Sequence, residues 1–355
     1  MQEIAEQPGL LAFFGSGETS ASGRRVYDWV FHRLALPIRM AVLETPAGFQ
    51  PNSALVAENI AEFIRRRLQN FDPLATVIPA RKRGTPFSPD NPDIVAPLLK
   101  ANIIFLGPGS PTYAVRQLQD SLAWHVLQAR HRLGAAVIMA SAATIAAGLL
   151  ALPVYEIYKV GQDLHWQQGL DFFEPYNLSL VFVSHWDNTE GGSELDTSRC
   201  YMGQARFAQL RAMLPAEANV VGIDEHTALI IDPRARTCRV MGLGDVTLLR
   251  GDEELLFSSG SVFDVAELGP FQLPEAKTGI PSEIWDTVQR AQTEVSVGVA
   301  PEIPPTVLAL VEERQRARAS RDWTKADKLR ELIMAQGWEV RDTTEGPELV
   351  PLSRR

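Results

Sequence analysis

Residues 136–148 read AVIMASAATIAAG, and this stretch decides the fold. Its first five residues are apolar without interruption, as in a strand that is buried on both faces of a parallel sheet. Ser141 comes next, and an alanine-rich segment of helical composition follows it. A sharp turn from a buried strand into a helix lifts a serine oxygen out of the sheet and aims the helix N-terminus at developing negative charge. The stretch therefore predicts the central strand of an α/β sheet, with Ser141 at its carboxyl end.

The uncharged run around this strand is long enough to raise the question of a membrane helix. Residues 135–154 carry no Asp, Glu, Lys or Arg, and a helix of that length spans a bilayer. The run also contains Ser141, Thr144 and Pro153, and it follows segments that alternate between strand and helix. Central strands of α/β proteins, and the helices packed on them, are apolar on nearly all sides. We therefore predict buried core here and no membrane partner.

The sequence on either side of this strand has the same alternation. Continuous apolar runs predict strands at Leu10–Phe14, Met40–Thr45, Ala75–Pro79 and Asn102–Gly107. Apolar residues three and four apart predict helices over 53–70 and 112–132. This order predicts an α/β fold with a mostly parallel sheet and helices on both faces. Later runs, joined by short turns, predict antiparallel strands that finish this sheet or adjoin it, at Val220–Asp232, Cys238–Leu249 and Leu255–Phe263.

Proline spacing divides the chain into three parts. We assign residues 8–268 to the α/β domain. Residues 269–305 contain six prolines and are predicted to be a linker with one short helix. Residues 306–355 are predicted to form a separate module of two helices, the second ended by Gly337. Ten Lys or Arg and nine Asp or Glu nearly balance in this module.

Composition places the chain among cytoplasmic globular proteins. Apolar residues make up 45% and charged residues 22% of the sequence, as in a soluble domain. The formal net charge of −9 disfavours a nucleic-acid partner for the chain as a whole, because phosphate binding requires clustered Lys and Arg. Two cysteines are too few for a disulfide framework, so a reducing compartment is expected. The start of the chain, MQEIAEQPG, lacks the features of a secretion signal.

A small set of residues has the position to carry chemistry. Ser141 lies at the strand-to-helix turn, although a plain N-cap serine is common at such a place. His185 follows an apolar strand end, where site residues gather in α/β sheets and where imidazole can take a proton near neutral pH. A lone histidine more often has a structural role. Gly109 and Ala142 could each offer a backbone N–H to an oxyanion, as could many ordinary turns.

No cofactor or metal is predicted from the sequence. Gly15-Ser-Gly17 begins a dinucleotide-type pattern after the first strand, but Ser20 stands where the third glycine is needed. The six histidines and two cysteines lack the spacing of metal ligands.

Taken together, these residues resemble the serine peptidase family that includes dipeptidase E and cyanophycinase. The fold of that family is similar to the class I glutamine amidotransferase domain. The resemblance covers about residues 8–265. It is carried by LLAFFGSGE, NIIFLGPGSPTYAVRQL, ASAATIAAG, VFVSHWDN and VVGIDEHTALII.

The resemblance implies roles for individual residues. Ser141 would be the nucleophile, and His185 would be the general base and then the general acid. The backbone N–H groups of Gly109 and Ala142 would be the oxyanion donors.

The resemblance also implies an acidic residue that orients His185. The family places this residue after the serine-bearing helix, and Glu156 is our candidate. Asp163 and Asp187 remain open as substitutes, since spacing alone does not give geometry.

The nucleophile turn departs from the family pattern. The family usually has Ser-Ala-Gly-Ala, whereas this chain has Ser-Ala-Ala-Thr at 141–144, with the bulky Met139 shortly before it. Small residues flank such a turn because its backbone is crowded. The departure leaves two functions open. One is a serine-dependent hydrolase that cleaves an amide bond in a small peptide, with aspartyl peptides first among the candidates, through an acyl-enzyme at Ser141. The other is a catalytically degenerate member that binds a ligand or regulates a partner, and either could be a homo-oligomer.

The end of the chain has a second resemblance. Residues 306–347 look like the helical segment near the C-terminus of cysteinyl-tRNA synthetase, which is not the catalytic part of that enzyme. The match runs through Ala317-Arg318, Asp322-Trp323, Ala326-Asp327, Leu329-Arg330 and Asp342-Thr343. It implies an accessory helical hairpin that touches RNA or a partner. A simple packing module is favoured over RNA contact because the charges balance.

Overall fold

The computed structural model describes residues 7–297, 304–320, 322–343 and 346–351. The chain divides into two compact units, residues 1–292 and 293–355, which are described in turn. In these described ranges no helix is long and apolar enough to cross a membrane. The uncharged run at 135–154 is divided between two strands and two short helices.

The first unit is built from alternating strands and helices. Its strands are β1 (Leu11–Phe14), β2 (Arg39–Leu43), β3 (Leu74–Ile78), β4 (Ile103–Leu106), β5 (Ala136–Ala140), β6 (Leu150–Ala151), β7 (Gln167–Gln168), β8 (Leu180–Val183), β9 (Asn219–Ile223), β10 (Thr227–Asp232), β11 (Thr237–Gly242), β12 (Asp245–Arg250), β13 (Glu253–Ser258) and β14 (Val262–Asp264). Its helices are α1 (Ala21–Phe31), α2 (Ser53–Arg67), α3 (Pro92–Val95), α4 (Pro111–Leu118), α5 (Leu122–Arg132), α6 (Ala142–Ala146), α7 (Val154–Tyr158) and α8 (Gly203–Ala212), and α9 (Ser282–Val297) begins in it.

The main sheet has eight strands in the order β14-β11-β10-β1-β5-β4-β2-β3. The five strands from β1 to β3 in this order are parallel, and β10, β11 and β14 are antiparallel. Strand β5 lies between β1 and β4, and all five of its residues are buried. The predicted α/β fold and the central position of this strand are confirmed.

Apolar layers cover both faces of the main sheet. Val137 and Met139 of β5 join the layer that contains Trp124 of α5, whereas Ile138 joins the layer that contains Tyr27 of α1. Alternate residues of a strand point to opposite faces, which explains this division. Met139 is fully buried. Its bulk therefore lies in the core of the main sheet.

A second sheet adjoins the first and has the order β13-β12-β9-β8. Three runs predicted as single strands, 220–232, 238–249 and 255–263, each cross from one sheet to the other. The first run turns at residues 224–226 between β9 and β10, the second at 243–244 between β11 and β12, and the third at 259–261 between β13 and β14. Apolar periodicity cannot show these crossings, because both sheets bury the same residue types.

Much of the segment predicted as a linker, residues 269–305, packs against the core of the first unit. Phe271, Ile280, Trp285 and Val288 are buried in the same core as the main sheet. Residues 269–292 therefore belong to the first unit, because their apolar side chains pack there. The boundary predicted at residue 268 moves to 292. Residues 298–303 of the predicted linker lie outside the described ranges.

The second unit contains the predicted helical pair, α10 (Pro305–Ala319) and α11 (Trp323–Ala335). It also contains a β-hairpin that the sequence analysis did not predict, β15 (Trp338–Thr343) and β16 (Gly346–Pro351). Its small core is formed by Val307, Val311, Ile333, Trp338 and Val340.

Candidate active site

Ser141 occupies a strained backbone conformation between β5 and α6. Its φ is 52° and its ψ is −109°, a region that non-glycine residues seldom adopt. An N-cap serine would have extended backbone angles and would accept a bond from the helix through its side chain. Ser141 makes no such bond. The structure therefore removes the N-cap alternative and presents the hydroxyl for other contacts.

The Ser141 hydroxyl is hydrogen-bonded to His185. The distance from Ser141 Oγ to His185 Nε2 is 2.9 Å. His185 lies two residues beyond the end of β8 and has a φ of 51°. The backbone N–H of Ser141 donates to the carbonyl of Phe14 at 3.1 Å, which anchors the turn to β1. Ser141 and His185, which the sequence analysis identifies as the candidate reactive pair, are thus in direct contact.

The other ring nitrogen of His185 contacts Glu225. The distance from His185 Nδ1 to Glu225 Oε1 is 2.7 Å, and Asn188 Nδ2 donates to the same oxygen at 3.0 Å. The hydrogen bond from His185, helped by Asn188, lowers the pKa of Glu225 to about 2. Glu225 is therefore a carboxylate at neutral pH, and it fixes the orientation of the imidazole.

Strand topology explains how His185 and Glu225 meet. Strands β8 and β9 are parallel neighbours, and Val183 is paired with Gly222. His185 and Glu225 each lie two residues past the end of their strand. The carboxyl ends of parallel strands meet at one edge of a sheet, so the two side chains converge there.

The acidic residue proposed from the resemblance is thereby corrected. Glu156 lies in α7 and accepts a hydrogen bond from Thr112 Oγ1 at 2.5 Å. Asp187 accepts from the backbone N–H of Glu225 at 2.7 Å, and the carbonyl of Asp163 contacts His165 Nδ1. The position that we assigned to Glu156 is occupied by Glu225.

Sequence reasoning passed over Glu225 although it lies in the quoted stretch VVGIDEHTALII. The apolar pattern predicts one strand over Val220–Asp232, and such a strand places Glu225 inside a sheet. The usable signal was its position two residues past an apolar run, the same offset that His185 has from its own run.

Gly109 and Ala142 lie beside Ser141 in one cavity. In the part of the chain that the structure describes, neither backbone N–H donates to a carbonyl. Gly109 has a φ of 154°, and an added Cβ there would lie 1.9 Å from the carbonyl oxygen of Pro46. Only glycine fits so close to another backbone. Both N–H groups are therefore free to serve a ligand next to Ser141.

The cavity around Ser141 has a volume of about 380 Å³. Its wall includes the rings of Tyr155, Tyr158 and Tyr201 and two side chains of opposite charge, Lys159 and Glu190. Tyr201 donates to Glu190 Oε2 at 2.9 Å, and Lys159 Nζ lies 4.9 Å from the ring centroid of Tyr158. A small ligand with both charged and apolar parts suits this wall.

Cys200 also lines the cavity, but it is buried, and burial raises the pKa of its thiol to about 12. Such a thiol is protonated at neutral pH and is a poor nucleophile. Across the described residues, no group of three or more His, Cys, Asp or Glu side chains is arranged to hold a metal ion.

The first unit is similar to a solved structure of a peptidase from an acI-B1 actinobacterium. The TM-score is 0.59 at 19% identity, over 73% of this chain and 98% of that one. The likeness shows the fold and confirms the expected resemblance to a peptidase at that level.

The second unit matches a different family. Residues 300–346 match the profile of the cysteinyl-tRNA ligase anticodon binding domain. Cysteine–tRNA ligase 1 of Burkholderia lata is 53% identical over 51 residues, which is 14% of this chain and 11% of the ligase. The ligase of Chlamydia pneumoniae is 42% identical over 74 residues, 19% of this chain and 15% of the ligase. The chain thus spans only a small part of these relatives. It joins a unit with a peptidase-like fold to a tail similar to an anticodon-binding domain.

Proposed function

We propose that the first unit is a serine-dependent hydrolase that cleaves an amide bond in a small peptide. One observation carries the proposal: Ser141 Oγ, both ring nitrogens of His185 and Glu225 Oε1 form a continuous chain of hydrogen bonds at the strained turn. A nucleophile, a base in contact with it and a group that orients the base are the parts that acyl transfer requires. The peptidase-like fold supports this reading.

In the proposed reaction, Ser141 Oγ attacks the carbonyl carbon of the amide while His185 Nε2 takes the hydroxyl proton. The carbonyl π electrons move to oxygen, and the N–H groups of Gly109 and Ala142 stabilise the oxyanion. When the oxyanion collapses, the C–N bond breaks and His185 returns the proton to the leaving amine. Water then attacks the ester at Ser141 with His185 as base, which releases the carboxylic acid and restores the serine hydroxyl.

The cavity limits the substrates that this reaction can take. A volume of about 380 Å³ suits a short peptide more than a protein loop. Lys159 and Glu190 offer one charge of each sign, as needed for a peptide with free termini or a charged side chain. Lys159 adds a positive charge to the cavity wall. This charge favours substrates that carry the carboxylate of an aspartate. Arg116 does not line this cavity, and its guanidinium lies 5.2 Å from the ring centroid of Tyr113 on α4.

A defined set of dipeptides and tripeptides, with aspartyl peptides included, tests the proposal by mass-spectrometric detection of products. We expect the wild type to cleave at least one peptide and the Ser141→Ala variant to cleave none. Peptides that bind to the wild type without cleavage would support the degenerate, ligand-binding alternative. Equal cleavage by wild type and variant would exclude Ser141 as the nucleophile.

A second candidate function belongs to the tail. Its match to an anticodon-binding domain favours RNA as a ligand. The side chain of Trp323 is 56% exposed, and the guanidinium of Arg318 lies 5.8 Å from its ring centroid, so a base could stack there. Retention of transfer RNA on a filter by the full chain tests this proposal. We expect Trp323→Ala to weaken binding and Leu308→Ala, at another exposed apolar position, to leave it unchanged.

A further inference from the structure

An ion pair between the buried carboxylate of Glu44 and the partly exposed guanidinium of Arg81 fixes the loop that follows β2. The side chain of Glu44 is 2% exposed and accepts from Arg81 Nε at 2.6 Å and from Ser53 Oγ at 3.1 Å. The next residue, Thr45, is fully buried and donates through Oγ1 to the carbonyl of Ala80 at 2.6 Å. A buried carboxylate with several donors allows little freedom to the backbone that carries it. The turn over 45–47 is therefore held from both sides.

This turn forms the support for Gly109. The carbonyl oxygen of Pro46 accepts from the backbone N–H of Ser110 at 2.9 Å. The same oxygen lies so near Gly109 that an added Cβ would be 1.9 Å away. A shift of the turn at 45–47 would therefore be passed to the Cα of Gly109 and to the Gly109–Ser110 peptide, and through that Cα to the adjoining peptide, which carries the Gly109 N–H.

Arg81 supports the same loop through its backbone as well as its side chain. Its carbonyl accepts from Tyr113 Oη at 2.8 Å, and Tyr113 lies on α4 just after Gly109. An added Cβ on Gly48, at the far end of the turn, would lie 2.5 Å from the same carbonyl oxygen. The carbonyl of Arg81 thus contacts both the end of the turn at Gly48 and Tyr113 on the helix that follows Gly109.

We propose that Glu44 and Arg81 are positioning residues that hold the N–H of Gly109 at the place where an oxyanion forms. The proposal rests on the proposed serine hydrolase function, because it concerns the transition state of that reaction. Neither residue lines the cavity with Ser141, so neither is assigned contact with the substrate. Their action is through the backbone of residues 45–47 and 109–110.

The chemistry predicts a specific kinetic signature. Oxyanion donors act on the transition state, so a displaced donor lowers the maximal rate more than it weakens binding. Complete loss of one donor costs about 10²–10³-fold in rate, and a displacement should cost less. For Glu44→Gln we therefore expect the maximal rate of phosphonylation of Ser141 to fall by about 10-fold, with the concentration for half-maximal rate nearly unchanged.

The experiment measures fluorophosphonate labelling rates over a range of reagent concentrations for wild type, Glu44→Gln, Arg81→Gln and the double variant. If the pair acts as a unit, the double variant should be no slower than the slower single variant. Tyr176→Phe is the control for general destabilisation, because it loses a buried hydrogen bond to His131 outside the cavity. It should label at the wild-type maximal rate even where its melting temperature is lowered.

The outcomes separate this inference from the proposed function. A labelled wild type with Glu44→Gln at the same maximal rate, both folded at the assay temperature, would overturn the positioning role alone. A slower rate in Tyr176→Phe equal to that in Glu44→Gln would also overturn it, because the effect would then follow stability. A folded wild type that is never labelled would overturn the proposed function, and the positioning role with it.

Discussion

Ser141 and His185 both have a positive φ, which residues other than glycine usually avoid, with values of 52° and 51°. Such conformations cost roughly 1–3 kcal/mol each and persist where the surrounding structure enforces them. Here the anchor to Phe14 and the packing of β8 enforce them, and the two side chains are left 2.9 Å apart. Strain at both members of a hydrogen-bonded pair fits a site that is held ready for reaction.

The identity of the acidic residue gives a prediction at the same scale. Glu225→Gln removes the charge that stabilises a protonated His185, so we expect fluorophosphonate labelling to slow by about 10²–10⁴-fold. Glu156→Gln should label at close to the wild-type rate, because Glu156 contacts Thr112 and not His185. Labelling rates of the two variants at one reagent concentration make the comparison. A slow Glu156→Gln beside a normal Glu225→Gln would return the role to Glu156.

Asp171 gives a pH-dependent prediction about stability. Burial, with the nearby Glu174, raises the pKa of Asp171 from 3.8 to about 6. The folded state therefore binds an extra proton between these values, so this residue lowers the free energy of unfolding as pH rises through that window. Asp171→Asn should be more stable than the wild type at pH 7.5 and gain much less at pH 4. Asparagine tolerates the φ of 45° at this position.

Urea denaturation of both proteins at the two pH values measures the effect. An equal gain at both pH values would show that the ionised carboxylate is not its cause.

At the scale of elements, the segment between β8 and α8 holds the acidic residue in place. Asn188 is 1% exposed and donates to Glu225, while its own carbonyl accepts from Thr197 Oγ1 at 3.3 Å. Its Oδ1 accepts from the backbone N–H of Glu190 at 3.2 Å. One side chain thus connects the loop at the rim of the cavity to the carboxylate behind His185.

Asn188→Ala is expected to slow labelling by about 10-fold, because Glu225 then keeps only one of its two side-chain donors. A hydrogen bond to a charged group contributes about 1.5–3 kcal/mol. The matched control is Asn219→Ala. Asn219 is also buried and donates to the carbonyl of Leu268, but it lies at the opposite end of β9 from the site. An equal slowing in both variants would contradict a specific role for Asn188.

The strands and turns also show which features of the fold could be predicted from the sequence. Strand β5 and the turn at Ser141 were predictable, because an apolar run that ends in a serine before a helix is a local pattern. Glu225 was not, because it lies 40 residues from His185 and reaches it only through the pairing of β8 with β9. The sequence predicts three antiparallel runs as single strands for a related reason. A crossing between sheets depends on contacts that are distant in sequence.

At the scale of the molecule, the first unit contains the complete site. Every residue of the proposed triad and both proposed oxyanion donors lie within residues 1–292. Proline composition had suggested an end at residue 268, whereas the core extends to Trp285 and Val288, both fully buried. Buried side chains mark the boundary of a folded unit better than proline content does, because they carry its stability.

Two truncated chains test this boundary. A chain of residues 1–292 should show a cooperative thermal transition and label at the wild-type rate. A chain of residues 1–268 loses Trp285, whose removal alone is worth about 3–5 kcal/mol, together with the rest of its segment. Since domains are stable by about 5–15 kcal/mol, the shorter chain should be largely unfolded. Circular dichroism melts of both chains decide the matter, and equal melting temperatures would contradict the boundary at 292.

The central claim is that Ser141 is a nucleophile activated by His185. Intact-mass measurement after treatment with a fluorophosphonate tests it most directly, with wild type, Ser141→Ala and His185→Ala compared in the folded state. We predict one phosphonyl adduct on each wild-type chain and none on either variant. A folded wild type that gains no adduct, or a Ser141→Ala variant that gains one at the wild-type rate, would contradict the claim.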